Sequence, residues 1–378
     1  MKQFYPLSAF LTEYSEKNDG NKYRPVAVGR YGIRPRESIY SKELAKDYSK
    51  NKLIHKNTLT VGMGSVQIDI GILTEDITYS VSPAYHTYRI TGIDATYLRY
   101  CLECRNQDMF ARFVKRGSRQ GKTIDLKRWL TYEIPVYDMV RQAEIVDRLD
   151  RILGLIEKRK EQLLQLDQLV KSRFIELFGD PLHPVHSRAL GDVAVLERGR
   201  FSPRPRNDPR YYGGDYPFIQ TGDIAGCGHR LSEYRQTLNE KGIHVSKKFS
   251  AGTIVIAIVG ATIGATAILE IDVYAPDSVI GISVNDELYN NVFMEALLQF
   301  WQPELVRIAP ESARANINLK ILQSIPIIDV ELPRQLQFAS FVEQTDKSKY
   351  YSSLSSQCYR KVVNTYRQEW IKCQTSNF

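Results

Sequence analysis

Cysteine is scarce in this chain: five in 378 residues (Cys101, Cys104, Cys227, Cys358 and Cys373), an odd number with no framework-like spacing. That excludes a small cystine-stapled fold and makes a reducing, cytoplasmic setting the expectation. Cys101-Leu-Glu-Cys104 has the spacing of half a zinc site, but no second Cys-x-x-Cys completes four ligands. On a helix the two thiols share a face, and packing accounts for them. His183-Pro-Val-His186 follows a proline turn and reads as a surface loop, so no metal is expected. Phosphate-cradling glycine loops are missing as well: there is no G-x-x-x-x-G-K-[ST], and no G-x-G-x-x-G follows a strand. Gly260-Ala-Thr-Ile-Gly264 has no lysine after it. Asn207-Asp208-Pro209-Arg210 lacks the second proline and the aromatic of an amino-methyltransferase motif. Pro276-Asp277 could open a nuclease pattern, but no Asp/Glu-x-Lys follows at a usable distance, and Asp277 reads as a loop residue. The opening MKQFYPLSAFLTEYSEKND has no apolar core of signal-peptide length before its charges begin. No self-sufficient catalytic set is present, and no cofactor is expected.

Charge is absent from residues 251–269, AGTIVIAIVGATIGATAIL. The run is nearly long enough to span a bilayer, and Gly260 and Gly264 fit a small-xxx-small helix contact. Its β-branched residues, its two glycines and Thr253, Thr262 and Thr266 favour strand, tight glycine turn, strand. A buried hairpin is therefore expected, with no membrane partner.

What the chain has is length, basic charge and an internal repeat. The 378 residues suffice for two domains, each with its own core. Lys and Arg total 51 against 43 Asp and Glu, and the net charge of +8 leans towards a polyanionic partner. Ile124-Asp125-Leu126-Lys127 returns 193 residues later as Ile317-Asn318-Leu319-Lys320. Ile134-Pro135 returns as Ile325-Pro326, and Arg141-Gln142 as Arg334-Gln335. A period of half the protein means a duplicated large unit, a globular part followed by a helix, and not a solenoid. Two such units in tandem make a pseudo-two-fold object.

Residues 1–141 read as mixed α/β with strands at 59–63, 77–81 and 85–90 and a helix at 97–113. Residues 142–178 carry the clearest helix. Positions 149, 152, 156, 159, 163, 166, 170, 173 and 177 step by threes and fours and hold Leu, Ile, Ile, Arg, Leu, Leu, Val, Arg and Leu, a heptad seam. Such a helix runs about 55 Å, and Gly179-Asp180-Pro181 stops it. A second globular part covers about 180–333, with a helix at 291–307 matching 97–113. The closing helix, from 333 to about 373, is weak in its Ser-rich middle, 350–357. Antiparallel pairing of the two long helices would leave the globular parts at opposite ends of a rod.

Basic, aromatic-studded loops are the remaining signal. Arg198, Arg200, Arg204, Arg206 and Arg210 fall within thirteen residues, opposed only by Asp208, with Phe201, Tyr211 and Tyr212 among them. Pro203, Pro205 and Pro209 keep the stretch extended. Extended arginines suit phosphate contact and bidentate reading of guanine in the major groove. The first unit offers Arg30, Tyr31, Arg34 and Arg36, and the run Arg112, Lys115, Arg116, Arg119 and Lys122. Arg307, Arg314, Asn316, Asn318 and Lys320 stand in the matching place of the second. The DNA-contacting set expected is Arg30, Tyr31, Arg34, Arg36, Lys115, Arg116, Arg119, Lys122, Arg200, Arg204, Arg206, Arg210, Tyr211, Arg314 and Asn316.

Several segments together resemble the specificity subunit of type I restriction–modification systems, over essentially the whole chain. Arg188-Ala-Leu-Gly-Asp-Val193 is similar to the opening of a target recognition domain, and Pro217-Phe-Ile-Gln-Thr-Gly-Asp-Ile224 to its next strand. Residues 252–264 are similar to the family's strand and glycine turn, 313–326 to the segment leading into the spacer helix, and Ser172-Arg-Phe-Ile-Glu-Leu-Phe-Gly-Asp-Pro181 to the exit from the central helix. The first unit departs more: Val61-Gly-Met-Gly-Ser65 and Ser82-Pro-Ala-Tyr85 fit, but a leading Leu-Gly-Asp-Val is missing, and Lys2, Phe4, Leu7 and Ser8 are a rough counterpart.

The resemblance implies an α+β architecture of two tandem mixed α/β target recognition domains, 1–141 and 180–333. They would be separated and closed by two long antiparallel coiled-coil helices, 142–179 and 334–378. It implies a non-catalytic subunit that reads an asymmetric bipartite site in double-stranded DNA, one half-site per domain. Its helices would dock two methyltransferase subunits, which bring S-adenosylmethionine, and restriction subunits would join that core. Half-sites one helical turn apart lie about 34 Å from each other, within the reach of such a rod. The reading of a different class is a coiled-coil adaptor with protein-binding globular ends.

Overall fold

A computed structural model of the chain describes residues 3–39, 47–116, 121–309 and 316–371. The chain divides into two compact units, Met1–Arg159 with Ser355–Phe378, and Lys160–Leu354. Both mix helices and strands, and among the described residues no helix is long and apolar enough to cross a membrane.

In the first unit, four antiparallel strands form a sheet in the order Leu11–Glu13, His86–Ile90, Thr58–Met63, Ile68–Leu73. Helix α1 (Ala95–Phe113) covers it, and Tyr97, Leu98, Leu102 and Met109 share a core with Leu59, Val61 and Tyr88. The helix starts where it does because Asp94 caps it, its carboxylate accepting from Tyr97 N at 2.7 Å. Short helix α2 (Leu126–Trp129) is capped by Asp125 and delivers Trp129, fully buried, into the same core. Helix α3 (Met139–Phe178) follows, starting three residues before the expected position 142 and belonging to this unit as far as Arg159.

The second unit adds α4 (Leu190–Val193), α5 (Thr221–Gly226), α6 (Glu240–His244), α7 (Asn291–Ile308), α8 (Leu319–Gln323) and, as far as Leu354, α9 (Leu332–Ile371). Its five-stranded sheet runs Ala194–Arg198, Val279–Val284, Ile254–Ala257, Thr266–Leu269, Arg230–Leu231. A second sheet runs Gln236–Leu238, Tyr212–Phe218, Val273–Ala275, Lys247–Phe249.

The uncharged run is the hairpin Ile254–Ala257 with Thr266–Leu269, antiparallel, turned through Gly264 at φ +78°. Side chains alternate along a strand. Ile254, Ile256 and Ile268 therefore join the core under α7, while Val255, Ala257, Ala267 and Leu269 join the core with Ile219, Phe249 and Val273. Both faces are dry, which is why the sequence has no charge there. Each fully buried Ile or Val adds about 1.5–3 kcal/mol.

The repeated residues make the same local structure in each unit. Asp125 caps α2, accepting from Arg128 N at 3.3 Å, and Asn318 caps α8, accepting from Ile321 N at 3.0 Å. Phe4 pairs with Pro135 in one two-stranded ladder, and Ala189 with Pro326 in the other. Buried Gln142 accepts from Asp94 N at 2.9 Å and donates to Tyr137 O at 2.7 Å. Buried Gln335 accepts from Asn290 N at 2.9 Å and donates to Leu288 O and Val330 O at 3.0 and 2.6 Å. Each glutamine thus ties the start of a long helix to the residue that caps α1 or α7.

Within the second unit, α3 and α9 run antiparallel. Leu177 O accepts from Arg334 at 2.7 Å, Phe174 meets Phe338 with ring centroids 5.3 Å apart, and Asp167 pairs with Lys349 at 2.7 Å. Ser352 Oγ reaches Gln162 Oε1 at 3.4 Å. The Ser-rich middle of α9, weak by propensity, is helical, and these contacts supply the reason: tertiary packing outweighs a few tenths of a kcal/mol of propensity per residue. The seam positions of α3 are buried or half-buried throughout. Phe174, outside that seam, is the most buried of all, stacked on Phe293 and met edge-on or tilted by Phe178, Phe300 and Phe338.

Candidate nucleic-acid interface

The arginine-rich segment begins where strand Ala194–Arg198 leaves its sheet. Gly199 N donates to Val279 O at 2.8 Å and Arg200 N to Ala275 O at 3.0 Å, pressing the chain onto the turn that carries Asp277. A Cβ at Gly199 would lie 2.2 Å from Pro276 O, so only glycine allows this approach. Phe201 is buried against Tyr211, Tyr212 and Phe218, ring centroids 5.1 to 6.2 Å away, and the aromatic cluster anchors both ends of the loop.

Asp277 organises the arginines. Arg206 Nη2 donates to both carboxylate oxygens, at 2.6 and 2.8 Å, and Arg204 lies 3.9 Å away. Arg198 Nε donates to the Asp277 carbonyl at 2.7 Å. Asp208 is the one carboxylate within the run itself, and the fold adds a second, Asp277, delivered by the turn between two strands. Asp208 pairs with Arg210 at 2.6 Å, and that hydrogen bond holds its carboxyl below the usual range. Arg204 Nη1 donates to Phe201 O and Pro203 O at 3.1 and 2.8 Å, and Arg200 turns inward to His244 O and Ser246 O at 3.4 and 3.3 Å. Arg204, Arg206 and Arg210 keep exposed guanidiniums, and Tyr211 is half-buried beside them.

In the first unit, Arg30 and Tyr31 form the tip between strands Val26–Gly29 and Gly32–Pro35, with Gly32 at φ +76°. Arg30 and Arg34 lie 5.8 and 5.1 Å from the centre of the exposed Tyr31 ring. Arg36 follows in a short 3-10 turn, 5.5 Å from the Tyr48 ring. Lys115 and Arg116 are on strand Val114–Arg116, which pairs with Lys122–Ile124. Lys115 is neutralised by Asp125 at 2.8 Å, and Lys122 donates to Ser65 O at 2.6 Å. Arg119 and Arg314 lie outside the described residues. Asn316 is exposed, its backbone bridged to Val259 beside the glycine turn.

Two features escaped the sequence reading. One is a cleft of about 510 Å³ beside the arginine loop, lined by Arg206, Asn207, Tyr212, Gln220, Arg235 and Gln236 among others. The second is a charged cluster around His229, whose ring lies 3.4 Å from buried Glu295 and 3.9 Å from Asp167 on α3. Burial alone would lower the His229 pKa, but the two carboxylates overcome it and hold it at about 9. His229 and Lys349 pull Asp167 down to about 2. No spacing in the sequence announces either feature, because each joins residues more than fifteen positions apart. No group of three or more His, Cys, Asp or Glu among the described residues could hold a metal. Cys101 is packed in the core, its thiol pushed up to about 12 by burial.

Residues 184–351, which include the arginine loop, the cleft and His229 with Glu295 but not Asp167, match the family model of the type I restriction modification DNA specificity domain. That stretch, less than half of the chain, is similar to a type I specificity domain. Its fold is also similar to that of a type I restriction–modification S subunit from M. genitalium, at 14% identity and TM-score 0.58, over 98% of this chain and 96% of that one. A chain from a structure described as the basis of complex assembly and conformational transition of the type I R-M system matches at 16% identity and TM-score 0.55, over 98% of both chains. Within residues 184–351, Arg204, Arg206, Arg210 and Tyr211 are brought together on one loop, and Asn316 lies apart beside the glycine turn.

Proposed function

We propose that this chain is the DNA-reading subunit of a type I restriction–modification complex and has no catalysis of its own. Residues 1–141 and 180–333 act as two target recognition domains, each on one half of a bipartite target. Residues 142–179 and 334–378 act as paired spacer helices that fix the gap and dock two methyltransferase subunits, with restriction subunits joining that core. The repeated glutamine and capping contacts support a pseudo-two-fold frame. The unlike loops it carries, a cation–π hairpin tip in one unit and an Asp277-organised arginine loop in the other, support an asymmetric target.

The observation that carries the reading is that loop. Its arginines are exposed yet oriented by a fixed carboxylate and an aromatic anchor, as contact with an ordered polyanion requires. Duplex binding by the complex purified through this chain should weaken steeply between about 50 and 200 mM salt. Arg204→Ala, aimed at the exposed loop, should lower affinity and reduce the salt slope by about one if it contacts phosphate. Salt-insensitive, sequence-blind behaviour towards every duplex would reject this function and favour the protein-binding adaptor.

A further inference from the structure

The cleft beside the arginine loop has the chemistry of a base-edge reader, and its donors are held in place by carboxylates behind them. Arg206 spends one nitrogen, Nη2, on both oxygens of Asp277 at 2.6 and 2.8 Å. Its Nε and Nη1 have no protein partner among the described residues. Across the cleft, Arg235 is 79% exposed, while Asp223, 3.3 Å from its Nε, is only 7% exposed. Asp223 is itself fixed, accepting from Gln220 N at 2.8 Å. Among the residues lining the cleft there are two arginines and no carboxylate; of the counter-charges, Asp223 is recessed and Asp277 half-exposed.

The amides between the arginines have a determined polarity. Gln220 stands at the start of α5 with its side chain turned to Gln236. Its Nε2 donates to Gln236 Oε1 at 2.7 Å. Gln236, its Oε1 taken up by Gln220, is therefore turned with its NH2 group outward, an exposed donor. Two planar guanidiniums and one oriented amide donor are suited to the N7 and O6 acceptors on purine edges in the major groove. Phosphates are alike at every step and make no use of a fixed amide polarity, whereas base edges differ in it.

We propose that Arg206, Arg235 and Gln236 are specificity-determining residues that read purine edges in the half-site taken by this unit. At least one of those purines is guanine. The proposal rests on the DNA-reading function given above. It assigns the base contacts to the cleft and leaves the rest of the arginine loop to phosphates.

The test is selection of bound duplexes from a library randomised in both half-sites, using the complex purified through the full chain. Three forms are compared: wild type, Gln236→Glu and Arg235→Ala. Gln236→Glu keeps the shape but replaces the outward donor by an acceptor, so one position should shift from a purine acceptor to cytosine, whose N4 donates. Arg235→Ala, at a largely exposed side chain, should relax one position roughly 5- to 150-fold and leave the other half-site unchanged. Unaltered melting curves establish that both variants fold. A wild-type motif kept intact by both variants overturns the cleft assignment alone. An equal loss for all duplexes does so too, since it makes these residues phosphate contacts. If wild type enriches no motif, the DNA-reading function itself fails and the cleft assignment with it.

Discussion

Asp277 shows what a single residue contributes here. Its carboxylate turns a flexible basic stretch into an arginine loop with defined geometry, and it comes from 71 positions away in the chain. The arginines were legible in the sequence because composition and proline content mark an extended basic segment. Their organiser was not, because Pro276-Asp277 carries no local signal of its partner. His229 is the same kind of case. Its ring is flanked by Asp167, Glu295 and Lys349, from three different helices. Its folded-state value of about 9 lies above the ordinary 6.5. It therefore contributes its full stabilisation below about pH 6.5 and loses it as pH rises through about 9, by at most on the order of 3 kcal/mol. Urea melts at pH 6 and pH 9.5 should show that loss in wild type, and His229→Asn, which tolerates the positive φ of this position, should largely abolish it. An equal pH dependence in both proteins would place the titrating group elsewhere.

Among the elements, the long helices and the uncharged hairpin were the most legible. A seam at steps of three and four fixes a helix whatever its surroundings, and a charge-free β-branched run broken by glycines fixes a two-faced buried hairpin. The short elements α5 and α6 were missed, because four to six residues hold too little periodicity and are set by their caps. Heptad spacing also passed over Phe174, which lies between seam positions and is buried by residues of α7 and α9 as well as its own helix. Truncation leaves a cavity among four rings, so Phe174→Ala should cost about 3–5 kcal/mol in the second unit. Denaturant unfolding measures this. A loss no greater than that of an exposed residue such as Leu164→Ala would contradict the packing described.

For the whole molecule, the repeat is the feature that local physics explains best. The pieces alike in both halves each hold the frame together: an Asx cap, a strand pairing and a buried glutamine that ties the root of a long helix. The pieces that differ are the loops proposed to read DNA. On the proposed function, repeated frames that carry unlike loops should recognise two unlike half-sites at a fixed spacing. The bases themselves are not legible in the sequence, because they depend on which guanidiniums reach a groove edge, and that is set by contacts such as Arg206 with Asp277. The most direct test is to map methylated sites across the genome of cells with and without this chain, and with residues 180–333 replaced by another recognition domain. The account predicts an asymmetric two-part motif that vanishes without the chain and changes in one half only after the replacement. A contiguous or palindromic motif, or a map unaffected by loss of the chain, would contradict it.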